Sequence, residues 1–368
     1  MKNEKASGRI VADGEHIARV KYNDDDSQYI VTAKLNCTAP SENTKRLYSF
    51  LCDCYGSYVI SGFTYGESEH KAILDATGKE PVIACFDFMS YSLCRIEVTG
   101  TGGSSVDEAI AWHEKGGIVS FAWHWYLPYE YTKSGYTGSP GGFRIGAADK
   151  DSFKLDEFLA DPESDGYKAL IRDIDAISVE MKKLADRDIP ILFRPLHESG
   201  GNWGNDQTFW WLYFGAETYK KLWYTLYDRL VGYHGFDNLI WVFNCDSPAA
   251  ADFYPGDDYC DIVSTDYYQS YKGGVTLIEQ GWFESVRAFA DGTKITALTE
   301  NDIIPDIDTM FIKNQRWAWF APWSGGFTVA NDGKISTEYN SESVWYDSYN
   351  HERVLTLDEI PSLSEYPY

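Results

Sequence analysis

The sequence predicts a single (β/α)₈ barrel of the α/β class, preceded by an irregular N-terminal extension. Short apolar runs alternate with helix-period segments from Thr44 onward, the pattern of repeated βα units. Eight such runs can be placed as strands, and 368 residues suit one elaborated barrel. No Pro/Ser-rich linker, low-complexity tract or short repeat divides the chain. A doubly wound open sheet would share the alternation and is the competing architecture.

The strand candidates are Tyr58–Ser61, Val82–Phe86, Ile118–Trp123, Ile189–Phe193, Leu239–Phe243, Ile262–Thr265, Ile295–Leu298 and Trp317–Ala321. The clearest helix is expected from Tyr167 to Ala185, where Leu170, Ile174, Ile177, Met181 and Leu184 recur at three- and four-residue steps. A second should span Ala216 to Tyr233. Residues 1–38 are polar and irregular and are expected to pack on the barrel formed by residues 39–368. The run Asp24-Asp25-Asp26 lacks the alternating ligands and glycine of a calcium loop and reads as solvated surface.

A formal charge of −24 argues against nucleic acid and anionic membranes as partners, because both need a basic face. Aromatic residues make up 16% of the chain. Most must be core, as expected of Trp223 and Tyr227 inside a helix, but the excess suits a sugar ligand whose C–H faces stack on rings. The seven cysteines form no Cys-x-x-Cys pair, so buried thiols are expected rather than zinc ligands. Met1 to Gly8 holds no apolar signal core, and no run is long enough to cross a bilayer. Action on a polymer would require export, with any signal already removed; otherwise the chain stays inside the cell. A monomer is expected.

Barrel sites lie at the C-terminal ends of strands. Strand four delivers Arg194-Pro195-Leu196-His197-Glu198, strand seven delivers Glu300, strand three ends Trp123-His124-Trp125, and strand six ends in Asp266-Tyr267-Tyr268. Strand eight leads on to Trp323. Two facing carboxylates are what glycosidic bond cleavage needs: one protonates the leaving oxygen while the other attacks the anomeric carbon. The plainer alternative is that Glu198 pairs with Arg194 and Glu300 caps a helix.

The segment Phe193-Arg-Pro-Leu-His-Glu-Ser-Gly-Gly-Asn-Trp203 resembles glycoside hydrolase family 26, chiefly β-mannanases. Further matches in order are Thr77-Gly-Lys-Glu-Pro-Val, Asp173-Ile-Asp-Ala-Ile, Gly235-Phe-Asp-Asn-Leu-Ile-Trp-Val-Phe-Asn, Tyr254-Pro-Gly-Asp-Asp-Tyr and Leu298-Thr-Glu-Asn-Asp. The resemblance implies Glu198 as acid/base and Glu300 as nucleophile of a retaining endo-β-1,4-mannanase with no cofactor. It implies substrate contacts from His124, Arg194, His197, Trp203, Asp266, Tyr268 and Trp323. Arg194 would brace the carboxylates, Tyr268 would steady the nucleophile, and the two tryptophans would carry sugars. The expected partner is a β-mannan polysaccharide or its oligosaccharides. A β-1,3-xylanase, a mixed-linkage β-glucanase or a catalytically dead glycan-binding barrel shares enough of the pattern to stand as an alternative.

Other motifs fail on spacing. His197-Glu198 is not a zinc motif, because position 201 is Gly. Gly100-x-Gly102 lacks the third glycine of a dinucleotide fingerprint, and no Gly-x-Ser-x-Gly elbow occurs. The family's Gly-Gln-His after strand one is replaced by Ser61-Gly-Phe-Thr-Tyr-Gly66. Tyr126–Lys150 is long and aromatic-rich, which suggests a substrate-binding loop. Gly200-Gly201 suggests a pliable loop after Glu198.

Overall fold

A computed structural model describes residues 26–37, 39–100, 102–132, 142–146, 149–201 and 208–368. Its strands are β1 (Val59–Thr64), β2 (Ile83–Asp87), β3 (Ile118–Ala122), β4 (Ile191–Arg194), β5 (Leu239–Cys245), β6 (Ile262–Tyr267), β7 (Ile295–Asn301), β8 (Trp319–Phe320) and β9 (Val354–Leu355). Strands β1 to β7 pair in sequence order, each parallel to the next, and β1 also pairs with β8. The circle closes because Ala318 donates to Thr296 O at 2.9 Å and Asn301 to Ala321 O at 3.1 Å. The fold is therefore a (β/α)₈ barrel, and the open-sheet alternative falls.

All eight expected strands are present, most displaced toward their C-termini by one to three residues. Apolar runs mark where a strand is buried, whereas the ladders continue into the polar residues that form the site. One strand escapes a reading by apolar runs. Short β9 lies beside the start of β1, with Val59 opposite Val354. It fills the edge that β2, which joins β1 only from Gly62, leaves free.

The long helix spans Asp165–Ala185, and the apolar stripe from Leu170 to Leu184 is fully buried. Ser164 caps it by accepting from Tyr167 N at 3.1 Å. The expected helix from Ala216 to Tyr233 is split: an α-helix over Gly215–Tyr227 widens into a π turn over Asp228–Tyr233. Trp223 is core, as expected. Cys37, Cys85, Cys94, Cys245 and Cys260 are free thiols. No helix among the described residues is long and apolar enough to cross a membrane.

Residues 26–37 strap across the barrel's N-terminal end. Tyr29 is fully buried, its ring edge-on to Tyr55 at 5.2 Å, with the Arg316 guanidinium 4.9 Å away over its face. Its hydroxyl donates to Asn314 O at 2.6 Å. Gly56 has φ +77°, and a Cβ there would lie 2.3 Å from the Tyr29 ring, so glycine is required by both conformation and space. Further along the strap, Asn36 N donates to Asp261 Oδ1 at 2.8 Å. Tyr29→Ala should cost about 3–5 kcal/mol, as loss of a buried ring does. It should lower the melting temperature by several degrees with KM unchanged. An unaltered melting curve would show that the strap is not part of the core.

Candidate active site

The carboxylates converge because three strand ends deliver them to one spot. Oxygens of Glu198, Asp266 and Glu300 lie within 4.8 Å of one another, all three residues buried. β6 and β7 slip in register here: Thr265 faces Leu298 but Asp266 faces Glu300, so Thr299 is an extra residue. That bulge lets consecutive side chains serve the same site. Thr299 Oγ1 donates to Asp266 Oδ1 at 2.7 Å, while the Glu300 carboxylate meets Arg194 and Tyr268.

Arg194 forks between two acids, donating through Nη1 to Asp266 Oδ2 and through Nη2 to Glu300 Oε1. Tyr268 OH donates to Glu300 Oε2 at 2.7 Å. The simpler pairing of Arg194 with Glu198 is not formed, and Glu300 lies within β7 rather than at a helix cap.

Glu198 stands on a strained main chain. Its φ is +59° and that of Leu196 is +49°, a region side-chain-bearing residues enter at about 1–3 kcal/mol each. Several bonds hold the turn. Tyr219 OH donates to Leu196 O at 2.9 Å, Trp211 Nε1 to His197 O at 3.1 Å, and Glu198 N to Asn244 Oδ1 at 2.6 Å. Gly200 follows at φ +75°, where a Cβ would meet Ala250 N at 2.8 Å. The glycine here serves a positive φ and a close approach to the next loop.

The two acids differ in surroundings. Among the described residues no hydrogen bond reaches the Glu198 carboxyl, whereas Glu300 accepts from Arg194 and Tyr268. Burial pushes Glu198 well above the usual carboxylate range, with the charges of Asp266, Glu300 and Asp246 adding to it and Arg194 opposing. Burial also raises Asp266, to about 7, against Arg194, Thr299 and Asn244, which favour its charged form.

Over these groups opens a cleft of about 620 Å³ lined by His124, Phe143, Arg144, Phe209, Tyr271, Trp323 and Phe327 together with Glu198, Tyr268 and Glu300. Trp323 is half-buried and also borders a second hollow of about 560 Å³ that runs over the ends of β1 and β2 past Tyr65 and Asp87.

Two sequence expectations change here. The resemblance implies substrate contacts from Asp266 and His197, for His197 to the sugar or to the nucleophile, yet both are fully buried and neither lines the cleft. Asp266 holds Arg194 from below. His197 lies behind His124, with their Nε2 atoms 3.1 Å apart, and His124 Nδ1 meets Asp87 Oδ2 at 2.5 Å. An ionised Asp87 makes His124 Nδ1 the protonated nitrogen. In a neutral His124, Nε2 then accepts from His197, so His124 offers the cleft wall a ring rather than a donor. Burial first, then His124 and Arg194, holds His197 well below its usual pKa, so it is neutral. Arg194, only 3% exposed, braces the acids as expected. Trp203 lies outside the described residues. So do 133–141 of the aromatic loop, although Phe143 and Arg144 of that loop do line the cleft.

Asp87, Asn244 and Asp246, all at strand ends, carry no role in the sequence reading, although Asn244 closes the matching segment that begins at Gly235. The strand-end position that marks the glutamates also holds Asp87 at β2 and Asn244 and Asp246 at β5. Tyr271 and Phe327 carried no signal beyond being aromatic.

A parallel barrel with buried, unequal carboxylates at its C-terminal mouth is the architecture of the glycoside-hydrolase barrels. Residues 37–359 match the model of glycosyl hydrolase family 26, and the chain belongs to that family. It is 37% identical over 336 residues to a mannan endo-1,4-beta-mannosidase of Thermothelomyces thermophilus, covering 90% of this chain and 64% of that protein. It is 31% identical to mannan endo-1,4-beta-mannosidase B of a Piromyces species, covering 92% of this chain and 56% of that one. The chain thus spans only about half to two-thirds of these relatives' length. Among solved structures, the Podospora anserina GH26-CBM35 beta-(1,4)-mannanase superposes with a TM-score of 0.78 at 34% identity, over 94% of this chain and 72% of that one. A mannanase from a symbiotic protist of the termite Reticulitermes speratus, complexed with gluco-manno-oligosaccharide, gives 0.76 at 28% identity, over 90% and 98%.

Asp246 adds negative charge near Glu198 and is itself held by Lys272 Nζ at 3.1 Å. Removing that charge makes ionising Glu198 easier and so lowers its pKa. Asp246→Asn should therefore move the alkaline limb of kcat/KM to lower pH by roughly half a unit, a coupling of about 0.7 kcal/mol. A pH–rate profile in low salt reads it, and an unmoved or alkaline-shifted limb would remove Asp246 from the Glu198 environment.

Proposed function

We propose that this chain is a retaining endo-β-1,4-mannanase that cleaves mannan, glucomannan or galactomannan by double displacement, without a cofactor. The observation that carries the reading is the closeness and inequality of Glu198 and Glu300. Oxygens within 4.8 Å suit direct attack, for which carboxyl groups about 5–5.5 Å apart are usual; inversion needs room for a water at about 6.5–9.5 Å. The substrate and endo mode rest on the named activities of the relatives.

In this reading the Glu300 carboxylate, oriented by Arg194 and Tyr268, attacks the anomeric carbon. Glu198, kept protonated by burial and neighbouring charge, delivers its proton to the departing oxygen. The glycosyl–Glu300 ester forms as the glycosidic bond breaks. Glu198, now ionised, takes a proton from water, whose oxygen displaces Glu300 and restores both groups. Trp323 offers the ring face for the sugar at the cleavage point, and His124 lines the wall beside it. Trp203 is assigned to the leaving-group side from sequence. Asp266 and His197 act from behind, by fixing Arg194 and His124. A polymeric substrate places the work outside the cell.

Glu300→Ala should lower turnover by on the order of 10⁴-fold or more with the fold intact. Glu198→Ala should lose about 10²–10⁴-fold on mannan but far less on aryl mannosides whose leaving groups need no proton. Equal losses on both substrates for both variants would count against the assignment. A faster rate on xylan than on mannan would redirect the substrate while sparing the mechanism.

Tyr268→Phe removes one hydrogen bond to the nucleophile, about 1–3 kcal/mol, so kcat should drop roughly 10–100-fold while KM changes little. A kcat within about twofold of the parent would show that the phenol does not tune Glu300.

A further inference from the structure

We infer that Asn244, at the end of β5, is the positioning residue that aims the Glu198 carboxyl, an inference resting on the acid/base role proposed for Glu198. Asn244 is fully buried. Its side-chain oxygen accepts from Glu198 N at 2.6 Å. Its amide nitrogen faces Asp266 Oδ1 at 2.9 Å, Thr299 Oγ1 at 2.8 Å and Ser264 Oγ at 3.2 Å. The amide cannot be turned over: a main-chain N–H requires the oxygen on one side, and a carboxylate requires the nitrogen on the other. The main chain of the same residue grips the next position, Asn244 O accepting from Ser199 N at 3.1 Å and Ser199 Oγ at 2.8 Å.

The purpose follows from the backbone of Glu198. At φ +59° its N–H points toward the Asn244 side chain instead of joining a ladder. Ordinary backbone preference would return Glu198 to negative φ and swing the carboxyl away from the cleft. No hydrogen bond to the carboxyl itself corrects this among the described residues, so its aim is set by the main chain beneath it. Asn244 supplies the side-chain bond to that N–H. It also references Glu198 to Asp266, and through Arg194 to Glu300, so the proton donor and the nucleophile are located from one amide.

A group that merely supports the fold would affect all substrates alike; one that aims the acid affects those that need a proton. Steady-state kinetics on mannan and on a dinitrophenyl mannoside, with melting temperatures, separate the two for Asn244→Ala, Asn244→Asp and Thr299→Val. Asn244→Ala should lose ~100-fold in kcat on mannan and less than ~5-fold on the activated substrate, with KM near parental. Asn244→Asp keeps the oxygen that accepts from Glu198 N but loses the amide donors, and Thr299→Val removes a donor to Asp266 and an acceptor for the Asn244 amide while leaving the Asn244 oxygen on Glu198 N. Both should lose rate about equally on the two substrates. Equal losses for Asn244→Ala, or a leaving-group split in Asn244→Asp, would overturn the inference. Should Asn244→Ala not fold, Asn244→Ser, too short to reach Glu198 N, is read by the same split, and equal losses on the two substrates there overturn the inference. Glu198→Ala serves as reference: if it shows no split, the acid/base assignment of Glu198 fails instead.

Discussion

The site depends on one guanidinium shared between two carboxylates. Arg194 is almost wholly buried and binds Asp266 with one nitrogen and Glu300 with the other. A lysine could not do this, because its point charge lacks the planar fork that fixes two acids at a set separation. A buried ion pair that loses one partner leaves an uncompensated charge, at a cost of about 3–5 kcal/mol. Asp266 thus fixes the place of Arg194 and, through it, of Glu300, although it does not line the cleft. Its remaining oxygen is satisfied by Thr299 and Asn244, so the fork rests on a closed set of donors rather than on charge alone.

From that set follows where the proton resides. Three buried carboxylates surround one cation, and a fully ionised trio would leave excess negative charge in a dry place. The trio lowers its energy by keeping one proton, and the hydrogen-bond donors decide its place. Asp266 and Glu300 each receive donors that favour the charged form. Glu198 receives none among the described residues and lies among like charges. The asymmetry that glycoside cleavage requires is therefore built into the supply of donors, before any sugar arrives.

How much of this was legible in the sequence varies with the physics involved. Strands and the long helix were readable because burial imposes a period, as at Leu170 to Leu184. Glu198 and Glu300 were readable because they follow apolar runs, and in a barrel strand ends converge. The bulge at Thr299 was not, since one extra residue in a ladder leaves no mark on hydrophobic pattern. β9 escaped because a two-residue strand has no period to detect. The burial of Asp266 and His197 is hidden for a related reason: sequence order gives the strand end a side chain occupies, not its depth below the mouth. The turn in α to π form at Asp228 is likewise invisible to a stripe that continues through it.

The histidine pair shows how depth changes function at fixed sequence. His197 adjoins Glu198 in the chain, yet the positive φ at Leu196 and Glu198 turns the two side chains apart, one into the cleft and one behind His124. There His197 packs against Phe209 and Trp211, in surroundings that oppose an imidazolium. Its neutrality matters to the neighbouring acid. A second cation this close would pull the Glu198 proton off by stabilising the carboxylate, undoing what Asp266 and Asp246 supply. Burying His197 behind His124 and leaving its Nδ1 without a bond among the described residues costs stability, but it adds no second cation to Arg194 beneath Glu198 and Glu300. The strained turn thus does two things with one conformation: it presents Glu198 and withdraws the residue that would otherwise compete for its proton.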